Sequence, residues 1–460
     1  MKDVWPVLMA PQSVIRYGIV AVAADVISLI DHEDRRRSVG CKPFSKRRTG
    51  ESCADDEIVV HQSMLGTKRF IVCDGGYTPG AQSRNEVGYV LRNHAIVVGL
   101  HLRWDGVWQR PQHILSRLAQ DCSVIVVEEP VAGTRDLDEI LRTDGVTVVR
   151  PHRRVTKCDE PVDAATLRAV TRLLGNQAPI VWLYTPMMML LVGQFPGAPL
   201  VYDCMDDLAS FAMAPRGMRA REALLLSEAS LVFTGGRSLF AERASYGGKV
   251  RLYASGVDFD FFSKASSQPR HPALARSRRP IFGYVGVVDE RIDLPILRAL
   301  AGATAGTVAV VGPTAKIDPA TLPRARNLDY LGLRPYAELP SLLRTFDVAL
   351  MPFARTESTR SISPTKTLEY LAAGLPVVST AIPDVVAEYR DVVRIASSVP
   401  DFVAQSLAAA ESGGDPALGR AHAKVRSWDA IVERMKSDIQ CLLEDAEDED
   451  VSVEVTSGTA

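Results

Sequence analysis

At 460 residues the chain is too long for one hydrophobic core and suits two or three domains. Its composition, 47% hydrophobic and 23% charged, is that of an ordinary globular protein, and a net charge of −2 excludes an electrostatic trap for nucleic acid or anionic lipid. Seven scattered cysteines form no C-x-x-C and eight histidines no H-x-x-x-H, which argues for a reducing compartment and against a structural zinc, a disulfide frame or a zinc hydrolase.

Residues 1–93 are weakly patterned. Their one apolar stretch, Tyr17 to Ile30, is interrupted by Asp25. It is shorter than the roughly 20 residues of a membrane span and lacks the flanks of a secretory signal. A basic run from Asp34 to Gly50 could attract phosphate or an anionic membrane, but the composition reads as a solvated, partly disordered extension.

From His94 the pattern changes. "HAIVVGL" is a buried strand, and "RPQHILSRLA" follows as a helix with Pro111 in its first turn and Ile114, Leu115 and Leu118 at helical spacing. "CSVIVVEEP", "PIVWLYTP", "PLVYDCMDD" and "ASLVFTGG" continue the series of strands, separated by short helices. This alternation predicts parallel βαβ units in a first Rossmann-like domain over 94–265. A Ser-, Pro- and Arg-rich stretch over 263–280 reads as a linker. "IFGYVGVV", "GTVAVVGP", "NLDYLGL", "FDVALMPF" and "GLPVVST" then predict a second such domain over 266–425. A helix over 426–443 would return toward the first domain, and the acidic end, 444–460, reads as a disordered tail. Two such domains form a cleft between the carboxyl ends of their sheets, where ligands of open α/β sheets bind.

The stretch "SPTKTLEYLAAGLPVVST" is the most informative. Ser363 suits a helix cap and Pro364 the first helical position, while Gly374 and Pro376 end the helix. Its N-terminus, around Ser363, Thr365 and Lys366, is an anion site, and a lysine there is unfavourable without a bound anion. Glu369, on the same face, can accept bonds from a vicinal diol. Diphosphate plus diol describes a sugar nucleotide. From this stretch alone, an exposed i,i+3 ion pair remains equally open.

"FDVALMPF" followed by that helix resembles the donor-binding half of retaining glycosyltransferases of the GT-B fold, family 4 and its relatives. "YASGVDFDFF", 253–262, resembles the same family at the domain junction. "WDGVWQRPQHILSRLA" and "YDCMDDLASF" resemble a bacterial subgroup associated with teichuronic acid or exopolysaccharide synthesis. The resemblance covers about 94–440 and implies an α/β GT-B architecture, two Rossmann-like domains facing across a cleft. It gives Glu369 the ribose and Lys366 a phosphate. The family's first motif glutamate falls on Ser361, which puts the donor sugar in doubt. Of the phosphate clamp Gly286 is present, but Val287 replaces its arginine, with Arg291 the nearest basic substitute or else a surface residue. Ser255 stands where the junction motif has asparagine.

The expectation is a hexosyltransferase, retaining and metal-independent, that moves a sugar from a nucleoside-diphosphate sugar to a carbohydrate or lipid-linked acceptor. The helix start, Lys366 and Arg291 would stabilise the leaving diphosphate. Arg103, Trp104, Asp105, Trp108 and Arg110, after the first strand, would line the acceptor site, although both tryptophans could simply pack on the sheet. Asp206 would polarise the acceptor hydroxyl, unless it or Asp207 caps the next helix. His113 is assigned to a helix surface or interface. No cofactor, metal or nucleic acid is expected. The resemblance implies a cytoplasmic protein that could sit at the inner face of the membrane. A nucleotide-sugar 2-epimerase and a non-catalytic sugar-nucleotide-binding protein are the alternatives. An NAD oxidoreductase is disfavoured because no G-x-G-x-x-G follows either first strand.

Overall fold

A computed structural model of the protein describes residues 91–154, 162–212 and 214–457. The extension expected over 1–93, with its basic run, lies outside these residues up to position 90. The remainder belongs to one compact unit built on two sheets.

The first sheet contains β1 (His94–Leu100), β2 (Ser123–Glu128), β3 (Val131–Ala132), β4 (Leu137–Thr143), β5 (Val146–Arg153), β6 (Ala178–Leu183), β7 (Leu200–Cys204), β8 (Leu231–Thr234) and β9 (Val250–Leu252). Their order is β3-β5-β2-β1-β6-β7-β8-β9, parallel except where β4 pairs antiparallel with β5. β1 shows why its run is apolar throughout. Ile96, Val98 and Leu100 face a core with Ile114, Leu115 and Leu118, whereas Ala95 and Val97 face a second core with Val170, Leu191 and Leu225. Helices cover both faces of a parallel sheet, so no strand position can be polar-out.

The second sheet contains β10 (Ile281–Val285), β11 (Thr307–Val311), β12 (Leu328–Gly332), β13 (Val348–Met351), β14 (Val377–Thr380) and β15 (Val393–Ala396). All are parallel, in the order β12-β11-β10-β13-β14-β15. The winding direction reverses between β10 and β13, as it does between β1 and β6 in the first sheet. Each reversal opens a crevice at the carboxyl ends of the strands.

The structure corrects four readings. The β4–β5 hairpin replaces an expected helical segment. Its strand "LDEILRT" has no apolar run, but Asp144-Gly145, with φ of 50° and 82°, is a two-residue hairpin turn. The edge strand β15 was also not foreseen. The 263–280 stretch is no free linker, because Ala265 and Leu274 are buried in the core of the second sheet, together with Val257 and Phe262 just before it. Finally, the helix Trp428–Ser457 runs through most of the expected disordered tail. No proline or glycine interrupts it before Gly458.

That last helix packs Trp428, Ile431, Val432, Met435 and Ile439 into the core of the first sheet. The chain therefore crosses between the sheets twice. The crossings are joined by Val257 N–H to the Arg426 carbonyl at 2.9 Å and Trp428 N–H to the Val257 carbonyl at 3.2 Å.

Candidate active site

At the carboxyl ends of β10, β11 and β12 lies a cavity of about 420 Å³. Val285, Gly286, Val311, Gly312, Leu333, Arg334, Tyr336 and Lys366 form one wall, and Trp104, Asp105, Trp108, Thr143 and Asp144 form the other. The floor depends on two glycines. A Cβ on Gly312, at φ 141°, would collide with the Gly286 carbonyl oxygen, and one on Gly286 with the Tyr284 hydroxyl. A wider hollow of about 760 Å³ along β15, lined by Arg390, Arg394 and Asp415, lies away from both sheets' crevices.

The helix Thr365–Ala373 places Lys366 on the cavity wall. Pro364, not Ser363, occupies the cap position, so the helix starts one residue later than the sequence suggested. The Ser363 carbonyl instead accepts a bond from Ser255 Oγ at 2.7 Å, which ties the helix entry to the junction segment. Gly374 terminates the helix at φ 80°, as expected of a left-handed cap. Lys366 and Glu369 do form the i,i+3 pair, with Nζ 2.9 and 2.7 Å from the two carboxylate oxygens. It is not a surface pair, since Glu369 is 3% exposed and the Lys366 side chain 16%. Nζ keeps one further N–H toward the cavity, and the carboxylate keeps lone pairs beyond the two that Lys366 uses, although Glu369 itself is not part of the cavity lining.

The loop after β1 is held by its own sheet. Arg103 donates to Glu128 and to the carbonyls of Glu129 and Pro130. Trp104 is 3% exposed, with its indole N–H on Asp144 at 2.9 Å. Asp105 pairs with Arg150 at 2.9 Å. Trp108 meets Trp104 edge-on at 6.2 Å and donates to His113 Nδ1 at 3.3 Å. Trp104, Asp105 and Trp108 line the cavity, whereas Arg103 and Arg110 do not. Arg110 is a correction. Its buried guanidinium clamps Asp203 from Nε at 3.0 and 3.2 Å and donates to the Tyr253 carbonyl at 2.6 Å, so its charge is spent on Asp203 inside the sheet rather than presented to the cavity.

Arg291 is also no free cation. Asp289 binds its guanidinium through both carboxylate oxygens, at 2.7 to 3.1 Å. It lies 5.4 Å from the centre of the Phe211 ring, and Lys316 Nζ lies 4.7 Å from the same centre. A first-domain ring thus lies within cation–π reach of two second-domain cations. Asp206 belongs to this cluster. Burial pushes its carboxyl above the usual range, Arg291 pulls it back and Asp289 raises it further. Neither neighbouring aspartate caps a helix with its side chain: Asp207 is buried and pairs with Arg219 at 3.2 Å. Ser361, in place of the motif glutamate, donates to Glu242 of the first domain at 2.9 Å.

Several residues of this region were missed in the sequence. His101, at the end of β1, has a buried Nδ1 without a partner and is held neutral down to about pH 4 by burial and by Lys316. Tyr336 stacks on Phe261 at 4.9 Å and meets Trp108 and His113. His113, expected at a surface or interface, is buried against Trp428 at 5.0 Å. Thr143 and Asp144 were legible only through the Asp-Gly turn signal. Among the described residues no group of three or more His, Cys, Asp or Glu side chains is placed to hold a metal ion.

Residues 280–411 match the glycosyl transferases group 1 family. Over 221 residues the chain is 24% identical to TuaH of Bacillus subtilis (strain 168), assigned as a teichuronic acid biosynthesis glycosyltransferase. That match covers 44% of this chain and 55% of TuaH, so the chain spans about half the length of this curated relative. Among solved structures it resembles sucrose-phosphate synthase from Thermosynechococcus elongatus, with TM-score 0.59 and 14% identity over 76% of this chain and 100% of that one. It also resembles Anabaena Alr3699/HepE in complex with UDP and glucose, with TM-score 0.57 and 15% identity over 75% and 99%. The region from β10 through β15 therefore carries the match to the glycosyl transferases group 1 family, within a two-sheet α/β chain of GT-B fold.

Proposed function

We propose that the protein transfers a sugar from a nucleoside-diphosphate sugar to an acceptor hydroxyl, in the synthesis of a cell-surface polysaccharide or glycolipid. The observation that carries this is the buried Lys366–Glu369 pair, set where a helix N-terminus meets the cavity of a group 1 domain. The leaving diphosphate lies against the N–H groups of that helix start and the third N–H of Lys366, beside the bare backbone of Gly286. Glu369 accepts the ribose hydroxyls on the lone pairs that Lys366 leaves free. The relatives support the ligand class: HepE was solved with UDP and glucose, and an E. coli protein of the same fold with UDP-2-fluoro glucose. The likeness to TuaH supports the polysaccharide role.

The acceptor approaches from the first domain, along Trp104, Trp108 and Asp105. In this reading Asp206, in the cluster with Arg291 and just outside the cavity lining, takes the proton of the acceptor hydroxyl. Transfer retains the anomeric configuration and uses no metal, because the helix end and Lys366 carry the developing charge. No helix among the described residues is long and apolar enough to cross a membrane. A lipid-linked acceptor would nevertheless bring this cytoplasmic protein to the inner membrane face.

Thermal-shift titration with UDP, GDP, ADP, dTDP and their common sugars, on wild type and Glu369→Gln, tests the reading. Stabilisation by one or more nucleotides that is lost in the variant supports it. No shift with any of them removes the donor site, and the transferase with it.

A further inference from the structure

Arg334 lies in the loop after β12 and lines the cavity. The cavity lining holds one other cation, Lys366, and Glu369 neutralises that one. Arg334 has no such partner. Its Nε is buried without a hydrogen-bond acceptor, and its guanidinium makes no ion pair or ring contact among the described residues. A buried N–H left unpaired is costly, and a charged one more so. Such a group on the wall of a cavity marks where a ligand supplies the missing acceptor.

The sheet order says which part of a ligand that is. β12 stands two strands from β10, about 10 Å away at the usual strand spacing. In the reading above the diphosphate sits at the β10 end, by Gly286 and Lys366. The ribose and base must then extend along the carboxyl edge toward β12. There Leu333, Pro335, Leu339 and Val311 offer apolar surface for the flat face of a base. Arg334 remains for its edge.

A guanidinium donates and never accepts. At the base edge that carries O4 of uracil or thymine, or O6 and N7 of guanine, it meets acceptors, whereas cytosine and adenine place an exocyclic amino donor at the same position. Resting on the proposed function, we infer that Arg334 reads the nucleobase and restricts the donor to nucleotides of keto bases: uracil, thymine or guanine.

The test is a calorimetric titration of UDP, dTDP, GDP, CDP and ADP into wild type, Arg334→Met and Arg334→Lys. Wild type should bind at least one keto-base nucleotide about ten- to a hundredfold more tightly than CDP and ADP. Arg334→Met should lose that preference by weakening the keto-base nucleotide alone, and Arg334→Lys, with its point charge in place of a fork, should recover only part of it. Melting of the unliganded variants checks that they fold, which is expected because Arg334 makes no hydrogen bond or ion pair among the described residues. Equal or tighter binding of ADP or CDP overturns the inference, as does a preference unchanged in Arg334→Met; in both cases the donor site survives. No binding by any nucleotide removes the proposed function and the inference together.

Discussion

Lys366 and Glu369 neutralise each other inside the protein, Nζ touching both carboxylate oxygens of a residue that is 3% exposed. Neither can therefore be altered without changing the other. Lys366→Met would leave a buried carboxylate without a counterion, at a cost of about 3–5 kcal/mol. The double variant Lys366→Met/Glu369→Gln should recover most of that, because both charges then disappear together. Both proteins should lose donor binding by about tenfold or more. Denaturant melts and nucleotide titrations separate the two effects. A loss under about 1 kcal/mol in Lys366→Met, with donor affinity intact, would return the pair to the class of surface ion pairs.

Arg110→Ala should act on stability and not on substrate. The guanidinium is the counterion of Asp203, which is fully buried and whose carboxyl burial already pushes upward. Removing it should cost about 3–5 kcal/mol, while the acceptor KM of the surviving folded protein stays near wild type. An acceptor KM raised tenfold in a protein of normal melting temperature would restore Arg110 to the acceptor site.

Why the sequence misassigned Arg110 is physical. Its neighbours Trp104, Asp105 and Trp108 do face the cavity, and nothing in the local pattern distinguishes a residue at the loop's end from one aimed into the sheet. The partner, Asp203, lies 93 positions away. The pairing of Arg291 with Asp289 was hidden for the opposite reason, since the partner is only two residues off, but it depends on a loop conformation that periodicity does not encode. What was legible is what burial dictates over many residues. The β-branched runs became the strands of two parallel sheets, and the Lys366–Glu369 spacing put both groups on one helix face. Arg334 and His101 carried no signal, because each matters through what it lacks in three dimensions.

Chelation should leave the transferase reaction intact. In the proposed reaction the charge that develops on the leaving diphosphate would fall to the start of the helix Thr365–Ala373 and to Lys366 rather than to a metal. Initial rates should agree to within about twofold between buffers with EDTA and with Mg²⁺ or Mn²⁺. A rate that collapses in EDTA and returns with one metal would contradict the metal-free mechanism.

Acid should loosen the protein before its carboxylates respond. His101 is held at about pKa 4 by burial and by Lys316. His113, enclosed by Trp108, Tyr336 and Trp428, is held well below its usual value by burial, Arg117 and Lys366. In the unfolded chain both titrate near the ordinary value of about 6.5. Between that value and the folded ones the unfolded state binds more protons, so stability falls as the pH falls. The contribution is complete above about pH 6.5 and is lost progressively toward pH 4, with a slope of at most about 1.4 kcal/mol per pH unit for each histidine. Asp203, Asp206 and Glu129, which burial pushes up, act in the opposite sense, so the histidine contribution is read from the difference between wild type and the histidine variants. The clean comparison is therefore between pH 7 and 5.5. Wild type should melt lower at pH 5.5, and His101→Gln and His113→Gln should each flatten the difference. A wild-type melting temperature equal at the two pH values, or a slope untouched by either substitution, would mean that these imidazoles are protonated in the folded protein.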